Sequence, residues 1–507
     1  MDGNHKESLS YVYAQQKELS VLGGIGALLG WDQMTYMPSK GANERSEQSA
    51  LLSKLSHERV VSDTFWHHIT TLSKPDVFQT LKESDQAVIQ RLKEDIEKAR
   101  KIPADYVQRV AKATTQSYQA WERARNKNDY TLFKPHLKTI IDLEKEYCGY
   151  INLPGPLYDS LLDGYEEGMT TEKLKKEFTI LKKALKKILE DIMATAFYEK
   201  QQNENSIPMT SEKQKQLSKE IISLMHLPKD ATRLDVSTHP FTTSLGDQDV
   251  RITTNYERKN PLFSFFSTVH EAGHALYELG MPQGPYAHTV IADAPSLGIH
   301  ESQSRFWENM IARNKSFWEY FFPTFNTYLD SSNQLNNLET WYRHINQVHP
   351  SLIRVEADEL TYCLHVILRF EIEVGLIDGN LDIAELPQIW AENMNEYLGI
   401  TPKTDIEGVL QDMHWSGGSI GYFPTYAIGS IYAAQLFKQL QKETPDLSSI
   451  IRKGNLEPIL TWLRAHVHQH GRLLHAEDII KNTCGTGLDS QVFLTYLKEK
   501  YYPLYDV

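Results

Sequence analysis

The chain has 507 residues, 41% hydrophobic and 23% charged, with a formal net charge of −13. That is the composition of an ordinary globular protein, long enough for one large helical domain or two to three subdomains. Acidic balance without a basic tract argues against nucleic-acid binding.

The N-terminal string MDGNHKESLSYVYAQQ has no charged-then-apolar leader pattern. Residues 20–31 are apolar but too short and glycine-rich to cross a membrane. Three well-separated cysteines, Cys148, Cys363 and Cys484, form no CxxC and read as reduced, buried thiols. A cytoplasmic location is the expectation.

Residues 8–98 read as several helices, with Gly23, Gly24, Gly26 and Gly30 loosening the first apolar run and Pro38 and Gly41 breaking the chain. This part is either a helix–turn–helix of the core or the lid or wall of a cleft. Residues 101–150 are again helical. Residues 171–201 form a long amphipathic helix carrying Leu174, Phe178, Leu181, Leu185, Leu189 and Ile192 on one side, with Thr170 or Thr171 at its start. QQNENSIP, residues 201–208, is a polar connector.

Composition changes at residues 231–255, where Thr, Val and Ile become frequent and Pro240 and Gly246 punctuate. This is the strand and hairpin candidate. Such an edge can take up an extended peptide through main-chain hydrogen bonds. Arg251 is a candidate for a substrate carboxylate and His239 for the pocket floor. The plainer roles are an ion pair and a buried imidazole.

Residues 261–280, PLFSFFSTVHEAGHALYELG, predict a helix with Pro261 at its first position and Gly280 at its exit. Phe265, Val269, Ala272, Leu276 and Leu279 give it a face to bury. On another face His270 and His274 stand one turn apart, so both can hold one metal ion at ~2.0–2.1 Å. Glu271 between them is placed for a general base rather than a ligand. Two solvated imidazoles are the bland alternative. Gly273 speaks against it, since a mid-helix glycine costs ~1 kcal/mol and implies that space is needed.

A Pro- and Gly-rich loop follows, and Pro295 and Ser296 open a second helix with Phe306, Trp307, Met310 and Ile311 on its apolar side. Glu301 in its first turns is the third ligand, leaving a fourth position for water with a pKa near ~7 instead of ~15.7. His300 is the rival ligand. Neighbours on a helix point ~100° apart, so only one of the pair can coordinate comfortably, and Glu301 is preferred. Two imidazoles and a carboxylate suit one Zn2+ per chain, with Co2+ or Mn2+ as substitutes.

Farther on, Arg354 and Asp358 read as an i,i+4 pair on a helix, with Arg354 presented to a substrate carboxylate. His414 and Tyr422, around the glycine cluster of residues 417–421, are donors suited to an oxyanion. A structural loop with packed aromatics is the alternative. The histidine-rich stretch of residues 466–475 reads mainly as a solvated helix face.

Six strings stand in order: His239-Pro240-Phe241, Asp249-Val250-Arg251-Ile252-Thr253, HEAGH at 270–274, His300-Glu301-Ser302-Gln303, Ile353-Arg354-Val355-Glu356-Ala357-Asp358, and GVLQDMHW at 408–415. With WDQMTYMP near the N-terminus, they resemble the carboxypeptidase Taq family of metallocarboxypeptidases over nearly the whole chain. The resemblance implies a mainly α, saddle-like zincin with a long substrate groove and a small β-sheet next to the metal. One peptidase domain is expected, with an N-terminal helical part and groove wall (1–230), a small sheet (231–256) and a catalytic helical part (257–507). The resemblance also implies a homodimer and broad-specificity removal of single C-terminal residues. It supports His270, His274 and Glu301 as ligands, Glu271 as base and Arg354 as carboxylate receptor, with Arg251 second. Two other functions fit the same residues: an oligopeptidase that cuts internally, and a helical scaffold with a vestigial metal site.

Overall fold

A computed structural model describes residues 3–201, 207–329 and 337–507. Residues 202–206 of the expected connector lie outside them. Helices dominate, and their burial follows the apolar periodicity. Thr171–Met193 buries Leu174, Phe178, Leu181, Leu185, Leu189 and Ile192, each worth ~1.5–3 kcal/mol when fully buried. Thr170 caps it by accepting from the Lys173 N–H at 3.3 Å. Beyond Met193 the predicted helix breaks, resuming at Ala196–Gln201.

The N-terminal glycines do not break their helix. Gly3–Thr35 is one continuous helix of 33 residues. It buries only Ser8, Val12, Gln16 and Trp31, and the next helix, Ala42–Val60, buries none of its residues. This arm is therefore not a helix–turn–helix of the core. Val12 joins a small apolar cluster with Phe65, Ile69, Val88 and Ile89, separate from the main core.

The sheet has three strands: β1 (Thr232–Val236), β2 (Thr242–Gly246) and β3 (Asp249–Thr254), in the order β1-β3-β2. β1 runs parallel and β2 antiparallel to the central β3, with Leu234 and Thr242 both opposite Ile252. β3 buries Val250 and Ile252 and is tied to the HEAGH helix, Pro261–Glu278, by Thr254 Oγ1 and Ser267 Oγ at 2.8 Å. Phe265, Val269, Ala272 and Leu276 of that helix face the main core.

The second helix, Leu297–Arg305, is capped by Ser296 Oγ, which accepts from the Ile299 N–H at 3.1 Å. It runs on into a π-helical segment, Phe306–Ala312. Two further helices, Tyr362–Asp378 and Pro424–Glu443, are buried along most of their length. Among the described residues, no helix is long and apolar enough to cross a membrane. Cys148 and Cys363 are buried thiols, while Cys484 is only half-buried.

Candidate metal centre

The HEAGH helix and the helix Leu297–Arg305 cross with almost no space between them. A Cβ on Gly273 would lie 2.8 Å from the Gln303 carbonyl oxygen and 2.9 Å from Ser304 Cα. From the other side Gly429, on Pro424–Glu443, backs onto Glu301, where a Cβ would meet its Cγ at 2.6 Å. The glycine inside the motif thus lets the second helix bring its carboxylate to the two histidines.

His270 Nε2 and His274 Nε2 lie 3.6 and 3.4 Å from Glu301 Oε2. Donors arranged tetrahedrally ~2.0–2.1 Å from an ion stand ~3.4 Å apart, so the set fits a single divalent cation. Among the described residues this is the one cluster of His, Cys, Asp and Glu donors within metal-binding distance. His300, the rival, turns away: its Nε2 pairs with Glu278 Oε1 at 2.7 Å, while its ring packs against His274 at 4.5 Å.

Charge is balanced around the donors. Burial opposes the ionised form of Glu301, but Arg305 and the two histidines outweigh it and hold this carboxyl well below the usual range. Arg305 Nε donates to Glu301 Oε1 at 2.7 Å. His270 Nδ1 meets Glu308 Oε2 at 2.9 Å. Despite burial, His270, Arg305 and Arg313 pull the Glu308 carboxyl down to about 2. Burial and the neighbouring His300 push His274 down to about 3, so it is neutral and able to coordinate.

Glu271 is 6% exposed, and burial holds its carboxyl above the usual range. Thr242, the first residue of β2, donates its hydroxyl to Glu271 Oε2 at 2.6 Å. The sheet thereby fixes this carboxylate beside the donor set.

Arg354 lies in a 3-10 turn, Arg354–Glu356, and not on a helix. Its expected partner is also corrected. Asp358 accepts from the backbone N–H groups of His349, Leu360 and Thr361, each at 2.9 Å. Arg354 instead donates Nε and Nη2 to Asp412 Oδ1 at 3.2 and 2.9 Å, and Nη1 to the Tyr362 hydroxyl at 3.2 Å. Arg369 takes the other oxygen of Asp412, from Nε at 2.6 Å. Tyr362 also lies under the Arg305 guanidinium at 4.2 Å. A continuous chain therefore joins the donors to Arg354: Glu301, Arg305, Tyr362, Arg354.

His414 stacks on Tyr422 at 5.3 Å, and burial pushes it down to about 4, leaving it neutral. The Tyr422 hydroxyl accepts from Tyr426 at 3.2 Å, and the Arg354 guanidinium lies 5.0 Å from the Tyr426 ring. Arg251 pairs with Asp249 at 3.0 and 2.9 Å and lies over Trp31. His239 is exposed in the turn between β1 and β2, so it is not a buried imidazole. In the histidine-rich stretch, His468 is fully buried against Gln303 rather than solvated. Sequence reasoning missed Thr242, Glu308, Tyr362 and Asp412, whose roles arise from contacts between distant segments, and Arg305, whose i,i+4 spacing from Glu301 on one helix was a legible signal.

Residues 12–501 match the carboxypeptidase Taq (M32) metallopeptidase family. Similar proteins include "Thermostable carboxypeptidase 1" of Pyrococcus furiosus, 38% identical over 98% of each chain. The protein of the same name from Thermus thermophilus is 39% identical over 97% of each chain. Among solved structures, the M32 carboxypeptidase from Deinococcus radiodurans superposes with a TM-score of 0.93 at 34% identity, covering 99% of this chain and 100% of the other. The chain belongs to the carboxypeptidase Taq family of metallopeptidases, which are hydrolases.

Proposed function

We propose that the protein is a metallocarboxypeptidase that removes C-terminal residues from peptides with broad specificity, using one Zn2+ held by His270, His274 and Glu301. A cytoplasmic location and a homodimer belong to the same proposal. One observation carries it: unbroken contacts through Arg305 and Tyr362 join the donor set to the buried Arg354, while the buried Glu271 follows His270 on the same helix and is held by Thr242.

When bound, a divalent cation supplies Lewis acidity to a carbonyl oxygen and lowers the pKa of water. The chain's own groups do the rest. Arg354, steadied by Asp412 and Tyr362, receives the substrate's terminal carboxylate and so selects the last peptide bond. Thr242 orients Glu271, whose raised pKa suits a general base. Glu271 takes a proton from the attacking water at its carboxylate oxygen and returns it to the leaving amine. Tyr422 donates its hydroxyl to the developing oxyanion, with the neutral His414 stacked on its ring to hold it. Arg251 and His239 are left as contacts for more distant parts of a peptide.

The test is mass spectrometry of a peptide mixture over time. The expected result is a ladder shortening from the carboxyl end, abolished by chelator and restored by Zn2+. The variant Glu271→Gln should retain metal and lose turnover by about 10²–10⁴-fold. Full activity in that variant would remove Glu271 from the mechanism, and internal fragments in place of a ladder would favour an oligopeptidase.

A further inference from the structure

The two histidines of the HEAGH helix have different neighbours: Glu308 and its partner Arg305 beside His270, and His300 beside His274. On the His270 side stand Arg305 and, through Tyr362, Arg354. On the His274 side stand His300 and then Glu278. Past Glu278 opens a cavity of about 420 Å3, walled by the N-terminal helix, by β2 and its turn, and by the loop after the HEAGH helix. Asp247, Glu278 and Asp293 line it, and no described arginine or lysine does. Arg472, whose charge reaches Asp293, is held by both oxygens of Asp95 at 2.8 and 2.9 Å.

A second observation is independent of the carboxylates. Gln16 lines the cavity and is 4% exposed. Its Oε1 accepts from the Val290 N–H at 2.7 Å, while its Nε2 has no partner among the described residues. A buried donor left without an acceptor is destabilising, and a carbonyl oxygen supplied from the cavity would relieve that cost.

β2 connects this cavity to the metal centre. Thr242 at its start holds Glu271, and Ser244, Leu245 and Gly246 at its end line the cavity. As the outer strand it has no strand neighbour on one edge. At ~3.4 Å per residue its length spans ~14 Å, room for about four residues of an extended peptide. The N-terminal helix closes the path, its Gly24 backbone lying against the Leu245 carbonyl.

We propose that this cavity is the subsite for the cationic amino-terminal end of a short peptide substrate. The α-ammonium meets Asp293, Glu278 and Asp247, and a main-chain carbonyl accepts from Gln16 Nε2. The inference rests on the metallocarboxypeptidase reading, because a terminal carboxylate on Arg354 directs the rest of the peptide toward Glu278.

Penta-alanine and its N-acetyl derivative, both with free carboxylates, test it. KM and kcat are measured for the Zn2+-loaded protein and for Asp293→Asn and Asp247→Asn. Glu278 is spared because it touches His300. Acetylation should raise the wild-type KM about tenfold with little change in kcat, and the substitutions should bring that ratio toward unity. Equal ratios in wild type and variants, or no effect of acetylation, overturn the proposal. The same pair is also compared by calorimetric Kd in a Glu271→Gln background. If the wild type releases no C-terminal alanine, the activity reading fails on its own. The calorimetric ratio still decides the subsite: its loss in the Asp293 variant supports the cavity, and its persistence sinks it.

Discussion

A histidine that coordinates through one nitrogen is oriented by whatever its other nitrogen meets. His270 has Glu308 in that place, whereas His274 Nδ1 is buried with no partner among the described residues. The two imidazoles are therefore unequally supported, and the Glu308 carboxylate carries the larger share of the orientation. Glu308→Gln keeps the shape and removes the charge. It should weaken metal binding by about 10–100-fold, read by competition with a chromogenic chelator. Unchanged affinity would show that packing alone sets the ring. This residue also marks a limit of the sequence. His270, Glu271 and His274 are legible because one turn of one helix relates them. Glu301 follows from the start of the next helix. Glu308 lies in a π-helical segment that no local pattern announces, and only the helix crossing at Gly273 brings it to His270.

At the scale of elements, Arg354 shows how a side chain's partner depends on the backbone that carries it. Spacing of i and i+4 pairs Arg354 with Asp358 only if the backbone is helical. Here Ala357 is extended, with φ −67° and ψ 140°, so the two side chains part. Asp358 closes the turn before Tyr362–Asp378, and a distant loop supplies Asp412. Asp412 serves two guanidiniums, so Arg354→Gln leaves it paired with Arg369 and the fold intact. That variant should raise KM about 100-fold for peptides with a free carboxylate, without altering the slow cleavage of their amides. Kinetics on matched acid and amide peptides check this. Loss of both activities in parallel would mean that Arg354 supports the site without receiving the substrate. The first helix is continuous through Gly23, Gly24, Gly26 and Gly30. Its glycines lower helix propensity, but the arm keeps its helix by packing Val12 into a small core and Gly24 onto β2.

Over the whole molecule, long-range packing has buried ionisable groups whose titration belongs to the fold and not to any motif. Burial pushes His365 and His468 down to about 3 and His414 to about 4, from an ordinary 6.5. The unfolded chain binds protons at these sites first, so their contribution to stability is lost as pH falls from 6.5. Burial pushes Glu144 and Glu166 up to about 8 and Glu373 to about 7, from an ordinary 4.5. For these the fold keeps protons that the unfolded chain has released, so stability is full below 4.5 and is lost as pH rises through 7 to 8. Between about pH 4.5 and 6.5 these groups oppose one another and nearly cancel, with His274, pushed down to about 3 in the metal-free protein, set against Asp293, pushed up to about 6. Below that window the carboxyl slopes vanish while the imidazole slopes remain. Glu308, held down to about 2, adds to the acid loss. The melting temperature of the metal-free protein, followed by circular dichroism at fixed ionic strength, should form a plateau from about pH 4.5 to 6.5 and fall on both sides. Glu166 offers the specific check, because its carboxylate accepts the Gly298 N–H that starts the Glu301 helix, and glutamine preserves that acceptor. Glu166→Gln should cut the decline between pH 6.5 and 8.5 by roughly one-third to one-half. An unchanged alkaline slope would place the loss in other groups and remove the buried carboxyls from the account of stability.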